Sequence, residues 1–203
     1  MNQKLATLLN ELEEYGKTND ATMTDRSLKM LNITRDTGEF LLLIARAIEA
    51  RNILEIGTSN GYSTLWLAYA VQPLSGTVTT VERSQFKADL ARENFERVSM
   101  VPWIKQHVGD ATEFLKQQVD NSFGLIFLDS DRAQYVGWWN DLQRVMTLGG
   151  LMIVDNAVSH ANEMKDFVAV VRQTPGYLAS LVPVGNGELL VLKQTFGKKQ
   201  IEG

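Results

Sequence analysis

Apolar residues recur along the chain with a helical spacing at first and a strand-like spacing later. Leucines three and four residues apart predict an amphipathic helix over residues 3–15, which ends near Gly16. Residues 17–36 are polar and have no regular period. A second helix is predicted over residues 37–50, so we expect a helical segment before the first strand.

After residue 50, short apolar runs alternate with longer amphipathic segments. The runs predict strands at residues 53–56, 77–81, 104–108, 125–128 and 151–154. The segments between them predict helices at residues 62–71, 85–98, 111–119, 134–146 and 161–173. Several strands are almost continuously apolar, as expected for a parallel sheet with helices on both faces. The alternation therefore predicts a doubly wound, Rossmann-like α/β fold.

The last part of the chain follows a different pattern. Residues 178–184 and 188–193 are predicted strands on either side of Gly185-Asn186-Gly187, a turn typical of an antiparallel hairpin. Together with the earlier strands, this hairpin makes a seven-stranded mixed sheet.

Composition excludes several classes of site. The 203-residue chain has no Cys, which rules out disulfides, thiolate zinc sites and Cys nucleophiles, and its two His nearly exclude multi-histidine metal centres. Its formal net charge of -4 argues against nucleic-acid binding. Its length predicts a single domain over residues 1–203, with a helical cap in residues 1–50 and an α/β core in residues 51–203.

The apolar runs are too short to predict a membrane-spanning helix. Such a helix needs roughly 20 consecutive apolar residues, and the runs near the start of the chain are much shorter. Residues 1–20 are polar and acidic, unlike a signal peptide. We therefore expect a soluble, cytoplasmic protein without a membrane partner.

A glycine turn follows the first predicted strand. Gly57, Ser59 and Gly61 stand between that strand and the next helix, where glycines let the backbone approach a ligand without a Cβ in the way. The spacing differs from GxGxxG, which argues against a dinucleotide site and an NAD-linked oxidoreductase. The alternative is an ordinary tight turn between a strand and a helix.

Two acidic residues beside this turn favour a ligand with a ribose and an amine. Glu55 precedes the turn, and Glu82 ends the second strand 21 residues after Gly61, where an acid binds both ribose hydroxyls of an adenosine ligand. S-adenosylmethionine fits, since it has a ribose but no phosphates. Asp110 and Ala111 follow the third strand, where they would lie beside the adenine ring. The alternative for Asp110 is a helix N-cap. A solvent-facing strand end is the alternative for Glu82.

Three oxygen-bearing side chains follow two later strands. Asp129 ends the fourth strand, and Asp155 and Asn156 end the fifth. In a doubly wound sheet these strand ends are neighbours at the ligand-binding edge, so we expect the three side chains to converge there. Two carboxylates and an amide are ligands for a hard cation, with Mg²⁺ first and Ca²⁺ or Mn²⁺ as alternatives. The competing interpretation is that buried strands simply have polar ends.

Together these residues make the chain similar to the metal-dependent class I O-methyltransferases that use S-adenosylmethionine. It resembles the catechol and caffeoyl-CoA O-methyltransferase type in its short bacterial form, over nearly the whole chain from about residue 30. The resemblance rests on six motifs: MLNITRDTG at 30–38, LEIGTSNGYS at 54–63, VE at 81–82, GDA at 109–111, LDSDRAQY at 128–135 and GGLMIVDN at 149–156.

The resemblance implies a seven-stranded sheet with a reversed last strand, bound S-adenosylmethionine and a homodimer. It also implies that Asp129, Asp155 and Asn156 bind a divalent cation that chelates two adjacent hydroxyls of the acceptor, and that Asp129 touches the cofactor as well. The other cofactor-binding residues to which it points are Ile33, Glu55, Gly57, Gly61, Ser63, Glu82 and Ala111. Ser59 and Asp110 are further candidates because they lie in the turns after the first and third strands.

Asp129 and Arg132 are the two expected catalytic residues, and Arg132 departs from the family pattern. Family members carry a lysine, the general base, three residues after the first metal-binding Asp, and here that position is Arg132. A guanidinium stays protonated and cannot take the proton, although it can stabilise a phenolate. The base is then the metal alone, bulk water, Asp131 or His160. The alternative for His160 is a surface histidine after Ser159, a candidate N-cap of the next helix.

The acceptor is the least defined part of the prediction. Tyr135, Trp138 and Trp139 are expected in the core because of their helical spacing, although a flat aromatic acceptor would also suit them. Residues 1–36 and 157–163 are expected to shape the acceptor pocket. The leading hypothesis is a metal-assisted O-methyltransferase for a small catechol-like or phenolic acceptor. The alternatives are methylation of a hydroxylated RNA base and S-adenosylmethionine binding without catalysis.

Overall fold

The computed structural model describes residues 1–195, and all elements below lie in that range. Two helices, α1 (Gln3–Thr22) and α2 (Arg35–Ala47), precede the sheet. The strands are β1 (Asn52–Ile56), β2 (Thr77–Glu82), β3 (Ile104–Val108), β4 (Phe123–Leu128), β5 (Met146–Val154), β6 (Tyr177–Val182) and β7 (Glu188–Lys193). The helices between them are α3 (Tyr62–Val71), α4 (Gln85–Arg97), α5 (Ala111–Gln117), α6 (Tyr135–Val145) and α7 (Ala161–Gln173).

The strands form one sheet in the order β3-β2-β1-β4-β5-β7-β6. Strands β1 to β5 pair in parallel, and β7 lies antiparallel to both β5 and β6. The strand order reverses between β1 and β4, so the carboxyl ends of these two strands flank the point where doubly wound sheets bind ligands. The predicted fold, a mixed doubly wound sheet that ends in an antiparallel hairpin, is confirmed.

Two apolar clusters cover the two faces of the sheet. Successive side chains of a strand point to opposite faces, and in β1 Ile53 joins one cluster while Leu54 and Ile56 join the other. Leucines of α1 and α2 pack in the same cluster as Ile53, so the N-terminal helices share the core of the sheet. The single domain over residues 1–203 stays a prediction, since residues 196–203 lie outside the described range.

Helix α1 is longer than predicted because Gly16 does not end it. Gly16 is buried, and a Cβ there would come within 2.6 Å of the Asn32 amide nitrogen, so the glycine permits close packing of the following segment. Farther along the helix, the side chains of Asn19 and Asp20 both accept hydrogen bonds from the N–H of Met30. These tertiary contacts stabilise the last turns of α1, which the polar sequence predicted to be irregular.

Strand β5 begins at Met146, earlier than the predicted residue 151. The glycine pair Gly149-Gly150 is typical of a turn, yet it lies inside the strand with Gly149 at a φ of +74°. The register between β4 and β5 shifts between Phe123 and Leu125, opposite this part of β5. An irregular strand pairing therefore accommodates the two glycines.

Other boundaries differ little from the predictions. Helices α3 and α7 have the predicted bounds, residues 62–71 and 161–173. Strand β6 ends at Val182 because the N–H of Val184 turns back to the carbonyl of Val182 over 2.9 Å. Within residues 1–195, no helix is both long enough and apolar enough to cross a membrane.

Candidate active site

The turns after β1, β4 and β5 meet at one edge of the sheet. The N–H of Asp129 donates to the carbonyl of Ile56 over 3.0 Å, and the N–H of Asp155 donates to the carbonyl of Leu128 over 3.0 Å. These bonds continue the strand pairing by one residue past the end of each strand. Asp129 and Asp155 therefore begin their turns side by side.

The glycine turn after β1 is shaped by packing within the protein. Gly57 has a φ of +108° and Gly61 a φ of +85°, where a side chain would be strained. A Cβ on Gly57 would overlap the carbonyl oxygen of Asp129, and one on Gly61 would overlap the ring of Phe95. Protein atoms thus occupy the space that a Cβ at either position would need. The glycines let β1, β4 and α4 approach one another closely.

Glu55 lies beneath this turn and is fully buried. Its carboxylate accepts hydrogen bonds from the hydroxyls of Ser63, Thr64 and Thr80, and the bonds from Ser63 and Thr80 are 2.6 Å long. Burial raises the pKa of Glu55 to about 7, although the three donors oppose the rise. Glu55 and Ser63, both predicted to bind the cofactor, contact each other here and fix the turn to the sheet.

Glu82 and Ser59 connect the glycine turn to the end of β2. The N–H of Ser59 donates to Oε2 of Glu82 over 2.9 Å, and the N–H of Ser84 donates to Oε1 over 2.8 Å. The hydroxyl of Ser59 donates to the carbonyl of Met30 over 2.6 Å, and Ile33 is buried a few residues farther on. The predicted cofactor residues of the turn thus meet the segment that precedes α2.

Asp110 is the N-cap of α5. Its Oδ1 accepts the N–H of Thr112 over 2.8 Å, and hydrogen bonds from the side chain and backbone of Thr112 lower the pKa of Asp110. The Asp110 side chain is exposed, whereas Ala111 is buried. Both residues lie at the same sheet edge as Glu82, because the N–H of Gly109 donates to the Glu82 carbonyl over 2.9 Å.

The structure brings Asp129, Asp155 and Asn156 together. Nδ2 of Asn156 lies 2.6 Å from Oδ2 of Asp155 and 3.5 Å from Oδ1 of Asp129. Asn156 has a φ of +64°, a conformation that asparagine tolerates better than most residues. This conformation directs its amide back toward the two carboxylates. We call these three side chains the carboxylate cluster.

Positive charge nearby balances only part of the charge of the carboxylate cluster. Burial raises the pKa of Asp129 well above its usual value, and the charge of Asp155 adds to the rise, whereas Arg132 opposes it. Burial also raises the pKa of Asp155, and the neighbouring Glu188 carboxyl, when protonated, donates a hydrogen bond to it that opposes the rise. A divalent cation would supply the positive charge that the cluster lacks.

The donor set of the carboxylate cluster fits a hard cation. Within residues 1–195, no group of three or more His, Cys, Asp and Glu side chains is arranged to hold a metal ion. A cation here would therefore need an oxygen of Asn156 beside the carboxylates of Asp129 and Asp155. A half-turn of the Asn156 amide exchanges its nitrogen and oxygen and presents Oδ1 to that space. Such an all-oxygen set is typical of Mg²⁺, Ca²⁺ and Mn²⁺.

Arg132 is held beside the carboxylate cluster by α7. It begins a short 3-10 turn whose N-cap is Asp131. Its Nε donates to Oε2 of Glu163 over 2.8 Å, and its side chain is only 8% exposed. Its positive charge lowers the pKa of both Asp129 and Asp155, which shows that it lies near the two carboxylates.

His160, and not Ser159, occupies the N-cap position of α7, and its side chain does not cap the helix. The predicted N-cap at Ser159 is wrong because its hydroxyl is engaged elsewhere, 3.2 Å from Oδ1 of Asn156 and 3.0 Å from Nδ1 of His160. The His160 ring lies close enough to Asp155 for its charge to lower the pKa of that residue. His160 is thus near the carboxylate cluster.

The aromatic residues Tyr135, Trp138 and Trp139 are buried in the core, as their spacing predicts. The Tyr135 hydroxyl accepts a hydrogen bond from the N–H of Ser130 over 2.8 Å and donates one to the Ser130 carbonyl over 3.2 Å. Tyr135 thereby holds the turn after β4 in place. A stacking role toward an acceptor is therefore not needed to explain this residue.

One buried residue next to the carboxylate cluster was not identified from the sequence. Glu188, the first residue of β7, is fully buried, and its Oε1 accepts a hydrogen bond from the Thr37 hydroxyl over 3.0 Å. Burial and the neighbouring Asp155 carboxylate raise the pKa of Glu188. An acid at the start of an apolar strand was the available signal, but the same pattern fits an exposed strand end.

Comparisons with known proteins agree with this arrangement. A model of the O-methyltransferase family matches residues 6–194. The catechol O-methyltransferase of Mycobacterium tuberculosis is 35% identical over 131 residues, which cover 64% of this chain and 59% of that protein. The catechol O-methyltransferase of Niastella koreensis is 31% identical over 140 residues, which cover 68% of this chain and 63% of that protein. The chain thus matches about three fifths of the length of these two relatives.

Solved structures show the same fold over nearly the whole chain. The O-methyltransferase from Bacillus cereus in complex with SAH has a TM-score of 0.79 at 25% sequence identity. The superposition covers 93% of this chain and 91% of that one, so it includes most of both the helices before the sheet and the C-terminal hairpin.

Proposed function

Because this chain belongs to the O-methyltransferase family, we propose that it transfers the methyl group of S-adenosylmethionine to a hydroxyl of a small catechol-like acceptor, assisted by a divalent cation. The observation that carries the proposal is the carboxylate cluster beside the glycine turn. Two relatives are catechol O-methyltransferases, which supports the acceptor class. The Bacillus cereus relative binds SAH, the demethylated product of the cofactor, which supports S-adenosylmethionine as the methyl donor.

The residues at the sheet edge would bind and orient the cofactor. S-adenosylmethionine supplies a methyl group that its sulfonium has already activated, so orientation is the main task of the protein. Two backbone N–H groups fix the Glu82 carboxylate and leave lone pairs for the ribose hydroxyls. The N-terminus of α3, which begins at Tyr62, attracts an anion such as the carboxylate of the methionine moiety. Asp110 and Ala111 flank Glu82 where the adenine would lie.

The carboxylate cluster would hold the cation through Asp129, Asp155 and the amide oxygen of Asn156. A cation there would lower the pKa of an acceptor hydroxyl and favour one orientation of the acceptor. Tyr135 keeps the turn after β4 in position through its two hydrogen bonds to Ser130. Arg132 would place a positive charge beside the oxyanion that develops on the acceptor.

The test is methyl transfer to catechol, followed by mass spectrometry with Mg²⁺ or with EDTA. Asp155→Asn keeps the shape of the side chain but removes its charge, so we expect it to lower kcat/KM by at least about 100-fold and to weaken Mn²⁺ binding seen by electron paramagnetic resonance. Asp166→Asn, at an exposed acid of α7, is the matched control and should change neither quantity. Full activity of Asp155→Asn, or full activity in EDTA, would contradict metal assistance.

A second candidate is cofactor binding without catalysis, and the position of Arg132 is the observation that favours it. Arg132 lies beside the carboxylate cluster but cannot act as a base. This candidate predicts S-adenosylmethionine binding in calorimetry and no S-adenosylhomocysteine formation with any catechol. The homodimer and the methylation of a hydroxylated RNA base also stay predictions.

A further inference from the structure

The guanidinium of Arg132 is anchored at one nitrogen and open at the other two. Its Nε donates to Glu163 of α7 over 2.8 Å, whereas its terminal nitrogens make no hydrogen bond with residues 1–195. The charge of Arg132 lowers the pKa of both Asp129 and Asp155. A fixed set of N–H donors thus stands beside the carboxylate cluster and is available to a ligand.

Few side chains near this point are suited to take a proton from an acceptor. The guanidinium of Arg132 stays protonated, and Asp129 and Asp155 are the proposed cation ligands. Asp131 is exposed and caps the 3-10 turn through its own carboxylate. His160 and Lys87, the latter with a pKa that burial lowers, are therefore the competing bases that an experiment has to eliminate.

Two further cations lie near Glu163 or Asp129. Arg26, on the short turn Arg26–Leu28, lies close enough to Glu163 to lower its pKa in addition to Arg132. Burial lowers the pKa of Lys87, and the nearby charge of Arg26 lowers it further. The charge of Asp129 opposes this change. Positive charge near the carboxylate cluster thus comes from Lys87 as well as from Arg132, whereas Arg26 lies near Glu163 and Lys87.

From this geometry we propose that the protein methylates acidic phenols, which lose their proton in solution, and that Arg132 binds the ionised oxygen while Glu163 positions Arg132. The proposal rests on the proposed methyl transfer and specifies its acceptor class. The ionised oxygen attacks the methyl carbon, its electron pair forms the new O–C bond, and the pair of the broken S–C bond stays on the sulfur of S-adenosylhomocysteine. The phenolic proton has already gone to water, so no side chain has to accept it.

The first test compares the pH dependence of kcat/KM for nitrocatechol and for the less acidic catechol. In the wild-type protein kcat/KM should fall at low pH along an acid limb set by the ionisation of the acceptor hydroxyl. This limb should lie at higher pH for catechol, which is the less acidic acceptor. His160→Gln should leave both limbs where they are. Limbs that coincide in the wild-type protein, or that disappear in His160→Gln, would show that a protein base takes the proton and would overturn the proposal.

The second test needs no turnover. Nitrocatechol changes colour when it ionises, so its pKa can be measured in a complex of the protein with S-adenosylhomocysteine and Mg²⁺. Arg132→Gln should raise that pKa by about one unit, which is about tenfold less ionised probe at a given pH. Arg132→Lys should restore part of the difference, Glu163→Gln should give a smaller rise, and the exposed control Lys165→Gln should have no effect. The same probe pKa in Arg132→Gln and wild type would overturn the proposal.

The two tests distinguish this proposal from the proposed function. Methyl transfer with coincident acid limbs keeps the function and removes the inference. A probe pKa that depends on Arg132, without methyl transfer to either phenol, removes the function and keeps the recognition of an anionic oxygen. Absence of both binding and transfer overturns both.

Discussion

The hydroxyl of Thr37 donates a hydrogen bond to Oε1 of Glu188 over 3.0 Å and joins the first turn of α2 to the start of β7 across 151 positions of sequence. The Thr34 hydroxyl donates in turn to the Thr37 oxygen over 3.0 Å. Beside these two hydrogen bonds, the N–H of Gly185 donates to the Asp36 carboxylate over 3.1 Å. The N-terminus of α2 therefore holds the hairpin turn and the buried Glu188, which is next to the carboxylate cluster.

Thr37→Val should lower the free energy of unfolding by about 1–3 kcal/mol, because it leaves Oε1 of Glu188 buried without its donor. Urea denaturation followed by circular dichroism measures this difference. Thr79→Val is the control, since Thr79 is half-buried on β2 and its hydroxyl makes no hydrogen bond within residues 1–195; we expect a change within about 0.5 kcal/mol. Equal losses in both variants would argue against a specific contribution of the Thr37–Glu188 bond.

Gly57→Ala should destabilise the protein by roughly 3–5 kcal/mol, since its Cβ would overlap the Asp129 carbonyl at a φ that already strains a side chain. Thermal unfolding is the measurement. Gly137→Ala provides a matched control on α6, where a Cβ meets nothing within 4 Å. That substitution should be neutral or stabilise the helix by up to about 1 kcal/mol. A mild effect of Gly57→Ala would mean that the contact between β1 and β4 is less close than described.

Glu55→Gln should remove a pH dependence of stability. Burial raises the pKa of Glu55 from 4.5 to about 7, so between these values the folded protein holds a proton that the unfolded chain has released. The contribution of this group to stability therefore falls as the pH rises through that window, by on the order of 3 kcal/mol, and is constant outside it. The difference in unfolding free energy between wild type and Glu55→Gln, measured across the window, should change accordingly. A difference that does not vary with pH would refute the raised pKa.

Tyr135→Phe should cost about 1–3 kcal/mol, because it removes the acceptor for the N–H of Ser130 and the donor to its carbonyl. The lost contacts hold the turn that carries Asp129, so we also expect weaker Mn²⁺ binding in a titration. Tyr177→Phe is the control, since Tyr177 is half-buried and only burial shifts its pKa. If both variants bind Mn²⁺ equally well, Tyr135 does not position the turn.

The sequence alone determined the order of helices and strands and the place of the carboxylate cluster. Apolar periodicity is a local property, and it located α3 and α7 at their observed bounds. The convergence of Asp129, Asp155 and Asn156 follows from the strand order, since the carboxyl ends of neighbouring parallel strands share one edge. The alternation of strands and helices along the sequence indicates that order.

Only the tertiary structure decided which side chains surround that edge and how they are paired. Glu163 reaches Arg132 across 31 residues and Thr37 reaches Glu188 across 151, so neither contact leaves a periodic trace in the sequence. Gly16 likewise lies inside a helix, although its residue type predicted the end of that helix. A glycine stands there because the packing of Asn32 leaves no room for a side chain. Contacts of this kind depend on the relative positions of distant segments, which are set by the packing of the whole core and not by any local pattern.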